Sequence, residues 1–193
     1  TSQKLLKSRA KVSVLFITQS AVIAAVYFAL SVALQPLSFG PIQFRISEMM
    51  VLLPILLPSA IPGLTIGCAI TNFFFSPFGI YDMLFGTLAT FLASICTYAL
   101  RRHITLAAIP PMLFNALLVP LIWVVDGTNT LFYIAAAEIF ASEFIVAGVI
   151  GIPFTLLLKK SLVSAHMIDL TRGKFKNTPP YRRISNCDSV DEE

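Results

Sequence analysis

Apolar residues in this chain come in long runs separated by short polar, proline-rich or glycine-rich breaks, and several runs have the length of membrane-crossing helices. The first extends from about Val12 to Leu34 behind a basic start, Lys4, Lys7, Arg9 and Lys11. A signal peptide cleaved after Ser31-Val32-Ala33 is the competing reading, but the run exceeds the roughly 7–15 apolar residues of a signal core. It predicts a spanning helix instead. A second helix is expected from Ser47 to Ala60, with Pro54 and Pro58 placed to kink or loosen it. The third begins at Pro62, a favoured first-turn position, carries the small-xxx-small pair Gly63 and Gly67, and reaches Phe75. After the turn Ser76-Pro77-Phe78-Gly79, a fourth helix is predicted over Asp82 to Leu100, stopping at Arg101-Arg102-His103. The fifth follows Pro110-Pro111 and ends near Val125, before Asp126-Gly127. The sixth runs from Tyr133 to Leu158, is interrupted by Gly148, Gly151 and Pro153, and closes on Lys159-Lys160.

Basic residues favour the cytoplasmic side of a membrane. With the N-terminus inside, six spans make Lys4 to Lys11, Arg101-Arg102 and Lys159-Lys160 all cytoplasmic and leave Arg45 outside. The expected fold is thus an all-α integral membrane protein of six transmembrane helices with both termini cytoplasmic. Its parts are a basic N-terminus (1–11), a membrane domain (12–160) and a polar tail (161–193), first basic and then acidic.

Composition agrees: 56% of the 193 residues are hydrophobic and 12% charged, which excludes an ordinary soluble domain. The net charge of +4 sits where topology would put it and does not argue for a nucleic-acid partner. Cys68, Cys96 and Cys187 show neither a disulfide framework nor metal-ligand spacing. His103 and His166 lie outside the apolar runs, so no metal site is expected.

A few polar residues interrupt the apolar runs, and charge inside a bilayer is costly unless it lines a cavity or a protein interior. Arg45 and Glu48 stand three apart, where a helix starting near Ser47 would make them an ion pair at the outer mouth of a solute pocket. At ~1.5 Å per residue, Glu143 lies about 24 Å from Lys159, in the outer half of a ~30 Å core. Glu138 is shallower still. Asn72, about 15 Å above Pro62, is either an interhelical hydrogen bond or a ligand contact. Asn115 is the exception, set only about a turn above the start of helix five and read as structural. Asp82 has the alternative role of a helix cap. Gln43, Arg45, Glu48, Asn72 and Glu143 form the candidate binding set, with Glu138, Asp82 and Asn115 second to them. Ala21, Ala25, Ala29 and Ala33 recur every four residues as a side-chain-poor stripe that either packs inside the bundle or receives another helix.

The block Phe39-Gly-Pro-Ile-Gln-Phe-Arg-Ile-Ser-Glu48, with Ala60-Ile-Pro-Gly63 and Gly67-Cys68, is similar to the QueT family of queuosine-precursor transporters. The likeness continues through Phe85-Gly-Thr-Leu-Ala-Thr90, Pro110-Pro111 with Asn115-Ala-Leu117, and Glu143 with Gly151-Ile-Pro153. It covers roughly Ala21 to Lys160, matches only loosely over Thr128 to Ile139, and leaves the long tail unaddressed.

The resemblance implies a substrate-binding (S) component of an energy-coupling factor transporter in a bacterial cell membrane. Such a component captures solute from outside and works with a transmembrane coupling (T) protein and two cytoplasmic ATPases. It implies that the alanine stripe docks the T protein, that the whole S component tips during transport, and that no cofactor is needed. The chain has no G-x-x-x-x-G-K-[ST] loop for ATP.

The implied solute is a 7-deazaguanine, whose adjacent N1–H and amino group suit a carboxylate such as Glu143 or Glu48. Its carbonyl would accept from Arg45, Gln43 or Asn72. An aminomethyl substituent would pair with a second carboxylate. Phe73, Phe74, Tyr81, Trp123 and Tyr133 are candidate walls for the ring. Rival readings are a carrier of a vitamin or another base, a membrane-embedded enzyme, for which no nucleophile–base pair or H-E-x-x-H pattern appears, and a structural membrane protein.

Overall fold

The computed structural model describes residues 2–38, 44–125, 127 and 132–164, and among these every regular element is helical. Helix α1 (Ser2–Ala33) is followed by the single turn α2 (Gln35–Ser38). A ten-residue 3₁₀ helix (Ile46–Ile55) then leads into α3 (Ala60–Phe75) and α4 (Ile80–Ala99). Short helices α5 (Ile104–Ala107), α6 (Ile109–Leu118) and α7 (Leu121–Val125) follow end to end. Finally α8 (Phe132–Glu143) passes through a π-helix (Phe144–Ile150) into α9 (Gly151–Ser164). The expected tail lies outside the described residues from 165 onward.

Four stretches are long and apolar enough to cross a bilayer: Val14–Ala33, Ile80–Ala99, Ile104–Val125 and Phe132–Ser161. Their outer faces carry large apolar side chains such as Val22, Leu88, Leu113 and Leu157, as a surface wetted by lipid requires. This is a multi-pass membrane protein. The two remaining apolar helices are shorter, about 20 Å for the 3₁₀ segment and about 24 Å for α3.

The 3₁₀ helix stands where an α-helix over Ser47 to Ala60 was expected. Pro54 has no N–H to give and its ring crowds the turn before it, which disfavours continuous α-helix there. Ser47, Glu48, Met50, Val51, Leu52, Leu53 and Pro54 are all buried, so this segment is enclosed by the rest of the bundle and brings Glu48 inside with it. α1, α3, α4, the π-helix and α9 surround it.

Helix five differs from expectation in a way that matters below. The span starts at Ile104 rather than after Pro110-Pro111, and the prolines mark a joint inside it, in the first turn of α6. Pro111 cannot donate to the carbonyl of Ala107, four residues back. The Thr97 hydroxyl of α4 donates to that carbonyl instead, at 2.9 Å, and satisfies it within the bundle.

Gly63 and Gly67 face α1. A Cβ at Gly67 would lie 3.0 Å from both the Ala24 carbonyl oxygen and Tyr27 Cβ, and one at Gly63 would lie 2.8 Å from the Ser20 carbonyl oxygen. The glycine pair thus lets α1 and α3 approach backbone to backbone. Gly67→Leu should cost about 1–3 kcal/mol through overpacking against main chain that cannot yield. The check is the thermal unfolding midpoint in detergent, with the exposed Ile66→Leu as control, which should stay near the parent.

Candidate functional site

The turn between α3 and α4 places the first half of the site. Gly79, at φ +53°, reverses the chain so that α4 starts beside the end of α3. Asp82, in the first turn of α4, is fully buried and takes a salt bridge from Arg45, whose Nη2 reaches Oδ2 at 2.8 Å and Oδ1 at 2.9 Å. Ser76 donates to Asp82 Oδ2 at 2.7 Å, and Asn72 Nδ2 donates to the Asp82 carbonyl at 3.1 Å. Gly86, one turn on, leaves space for these groups: a Cβ there would be 2.7 Å from Asn72 Nδ2 and 3.4 Å from Arg45 Nη1. An open depression of about 560 Å³, lined by Gln35, Pro36, Phe74, Phe75, Ser76 and Pro77, reaches this cluster through Ser76.

The second half is built on the two irregular helices. Glu48, in the first turn of the 3₁₀ helix, accepts a short hydrogen bond from the Tyr27 hydroxyl at Oε1. Thr90 and Asn115 also approach this carboxylate. Glu143, the last residue before the π-helix, accepts from Asn115 Nδ2 at Oε1, 2.8 Å away. Glu48 and Glu143 lie close enough for each charge to act on the other, and Arg45 acts on both. Both carboxylates are buried, 1% and 5% exposed, and in each the second oxygen, Oε2, has no partner among the described residues. Buried polar oxygens are rarely left bare, because each one costs about 1–3 kcal/mol of lost hydration. Two bare oxygens on adjacent carboxylates are chemically ready to receive hydrogen-bond donors or positive charge.

The sequence candidates fare as follows. Arg45, Glu48, Asn72, Asp82, Asn115 and Glu143 are all buried, with Arg45 and Asn72 bonded to Asp82, Asn115 to Glu143, and Glu48 to Tyr27. Arg45 takes Asp82 as its salt-bridge partner rather than Glu48, because it is the extended residue ahead of the 3₁₀ helix (φ −89°, ψ 93°) and its side chain leaves in another direction. Asn115, set apart in the sequence as near the helix start, reaches Glu143, because its span begins eleven residues earlier at Ile104. Glu138 is exposed on the outside of α8 and takes no part. Gln43 lies outside the described residues.

Phe73, Phe74, Tyr81 and Tyr133 are exposed, so none of them walls a buried ring site. Trp123 is half-buried and packs edge-on against Phe78, with centroids 5.8 Å apart. Ala21, Ala25, Ala29 and Ala33 are all exposed, while Ser20, Ile23, Tyr27 and Ser31 form the buried face of α1. Sequence reasoning missed Tyr27, Ser76 and the role of Gly86. The spacing of Ser20, Ile23, Tyr27 and Ser31 along α1 was the available signal for Tyr27.

Comparison with known proteins adds the family. The model of the QueT transporter family matches residues 17–160, most of the chain and all of these residues. The chain belongs to the QueT transporter family. A stretch of 72 residues, 36% of this chain, is 40% identical to the queuosine precursor transporter QueT of Lactococcus lactis subsp. cremoris (strain MG1363) and spans 41% of that protein's length. No solved structure matches the chain. In this QueT-family member the matched region begins at α1 and ends at Lys160, and so includes both bare carboxylate oxygens and the exposed alanine stripe.

Proposed function

We propose that this protein is the substrate-binding (S) component of an energy-coupling factor importer, taking a queuosine precursor of the 7-deazaguanine type from outside the cell. One observation carries this: among the described residues, Glu48 and Glu143 each keep one buried oxygen without a donor, inside a chain of the QueT transporter family. The adjacent N1–H and amino group of a deazaguanine are the donors such oxygens lack. Arg45 and Asn72, which here donate to Asp82, are the nearest side chains that could turn a donor to the ring carbonyl. The Lactococcus relative is named for transport of a queuosine precursor, which supports the same solute class.

In this reading six helices cross the membrane, the two short ones being the 3₁₀ helix and α3, and both ends of the chain are cytoplasmic. The chain binds; a T protein and two cytoplasmic ATPases supply the drive. The exposed stripe Ala21, Ala25, Ala29 and Ala33 fits the docking face for the T protein, since small side chains allow close helix approach in lipid. Ala25→Trp should therefore leave solute affinity within about 2-fold and remove co-purification of the coupling protein, read by pull-down beside a binding titration.

The experiment that tests the function is calorimetric titration of the purified chain with 7-aminomethyl-7-deazaguanine, guanine and a panel of vitamins. Saturable binding of the deazaguanine with no vitamin response is the expected result. Tight binding of a vitamin instead would replace this solute by another.

A further inference from the structure

A glutamate side chain turns about several bonds, and its own backbone does not decide which carboxylate oxygen faces a ligand. At Glu48 that choice is made from another helix. The Tyr27 hydroxyl, on α1, donates to Oε1, and Oε2 is the oxygen left without a partner among the described residues. Tyr27 is 1% exposed, and it packs in one apolar cluster with Ile23, Leu53, Leu57, Leu64 and Cys68. A tyrosine has only two torsions to its ring, and a close-packed surround fixes both, so the hydroxyl has one place to be. Gly67 on α3 completes the seat, since a Cβ there would lie 3.0 Å from Tyr27 Cβ.

One turn further along α1, Ser31 donates to Ser47 at 2.7 Å and ties the same two elements together. That contact joins two neutral side chains and serves the fold. The Tyr27 contact differs because it ends on a carboxylate. A neutral hydroxyl fixes such a group by a charge-assisted hydrogen bond and leaves its negative charge in place. A cation in the same position would neutralise it, as Arg45 does for Asp82.

We propose that Tyr27 is a positioning residue, holding Glu48 by Oε1 so that Oε2 is presented to solute, without touching solute itself. This rests on Glu48 binding solute as set out under the proposed function, and adds the residue that aims it. It makes the seating of α1 on α3 part of the binding site, by way of Gly67 and the Tyr27 ring.

Tyr27→Phe keeps the ring and removes only the hydroxyl. In calorimetric titrations of the full chain it should bind 7-aminomethyl-7-deazaguanine on the order of 10-fold more weakly than the parent, the scale of one hydrogen bond to a charged group. Ser31→Ala removes the other contact and should stay within about 2-fold of the parent, since it touches no carboxylate. Infrared difference spectra separate aiming from support. The carboxylate bands that solute perturbs should be shifted in Tyr27→Phe and unshifted in Ser31→Ala. Gly67→Ala presses on the ring and keeps the hydroxyl, and should weaken binding by about 2- to 5-fold. It carries the test if Tyr27→Phe does not fold.

Parent-like affinity in folded Tyr27→Phe, or in Gly67→Ala where that variant stands in for it, would overturn the positioning role and leave the solute site standing. Weaker binding with the carboxylate bands unmoved would overturn it too, because Tyr27 would then touch solute directly. So would an equal loss in Ser31→Ala, which would reduce both contacts to support of the fold. Failure of the parent itself to bind the compound removes the functional reading, and this inference with it.

Discussion

Arg45→Ala is expected to destabilise the protein by about 3–5 kcal/mol, the largest stability loss of any single change considered, because it strands a carboxylate that is fully buried. Asp82 has no exposure through which water could replace the lost guanidinium. Ser76 and Asn72 remain, but as neutral donors they cannot supply the missing charge. Asp82→Ala should be costly for the mirror-image reason, and the double variant should cost clearly less than the two singles summed. Arg45→Lys tests geometry apart from charge, since one guanidinium nitrogen spans both Asp82 oxygens and a lysine ammonium is a compact, heavily hydrated point charge. Denaturation midpoints in one detergent provide the measurement. If both single alanine variants stay within about 1 kcal/mol of the parent, the pair is not the structural anchor described here.

Glu143→Gln should produce two effects of opposite sign. The glutamine carbonyl still accepts from Asn115, so that hydrogen bond at 2.8 Å survives. A neutral amide cannot repel Glu48 as a carboxylate would, so the free protein should unfold at an equal or higher temperature. Ligand affinity should nevertheless drop on the order of 100-fold, since an amide nitrogen offers a donor where the solute also offers donors. A purely structural glutamate would show neither the gain nor this pairing of gain with loss. Stability given up at a binding site is a common trade-off in proteins. Thermal midpoints without ligand, run beside calorimetric titrations, read both quantities.

Much of this arrangement was visible in the order of residues, and the rest was hidden for definite reasons. The apolar runs disclosed the helices, and Glu143 was recognisable as a carboxylate set deep within a span. Asn115 was misplaced because two prolines look like the beginning of a helix, whereas here they form a joint that Thr97 repairs from the neighbouring helix. That repair is a tertiary contact, and no local pattern announces it. Arg45 and Glu48 were paired on the assumption of helical geometry at both positions. Arg45 is extended and Glu48 sits in a 3₁₀ helix, so the familiar i, i+3 relation does not apply. The exposed aromatics were overvalued because aromatic content cannot tell a ring that faces a ligand from one that faces lipid. Gly86 could not be weighed at all until the groups it makes room for were in place.

The outward row of alanines on α1 has a consequence for the surrounding bilayer. Val22 and Val26 project along one flank of it, so the row is a shallow trench beside them on the protein's rim. Acyl chains are thick and mobile and fit such a trench badly, gaining little dispersion energy from a floor of single methyl groups. Emptying it of lipid is correspondingly cheap, and a rigid neighbour with a matching ridge would be preferred there over fluid hydrocarbon even without a single polar contact.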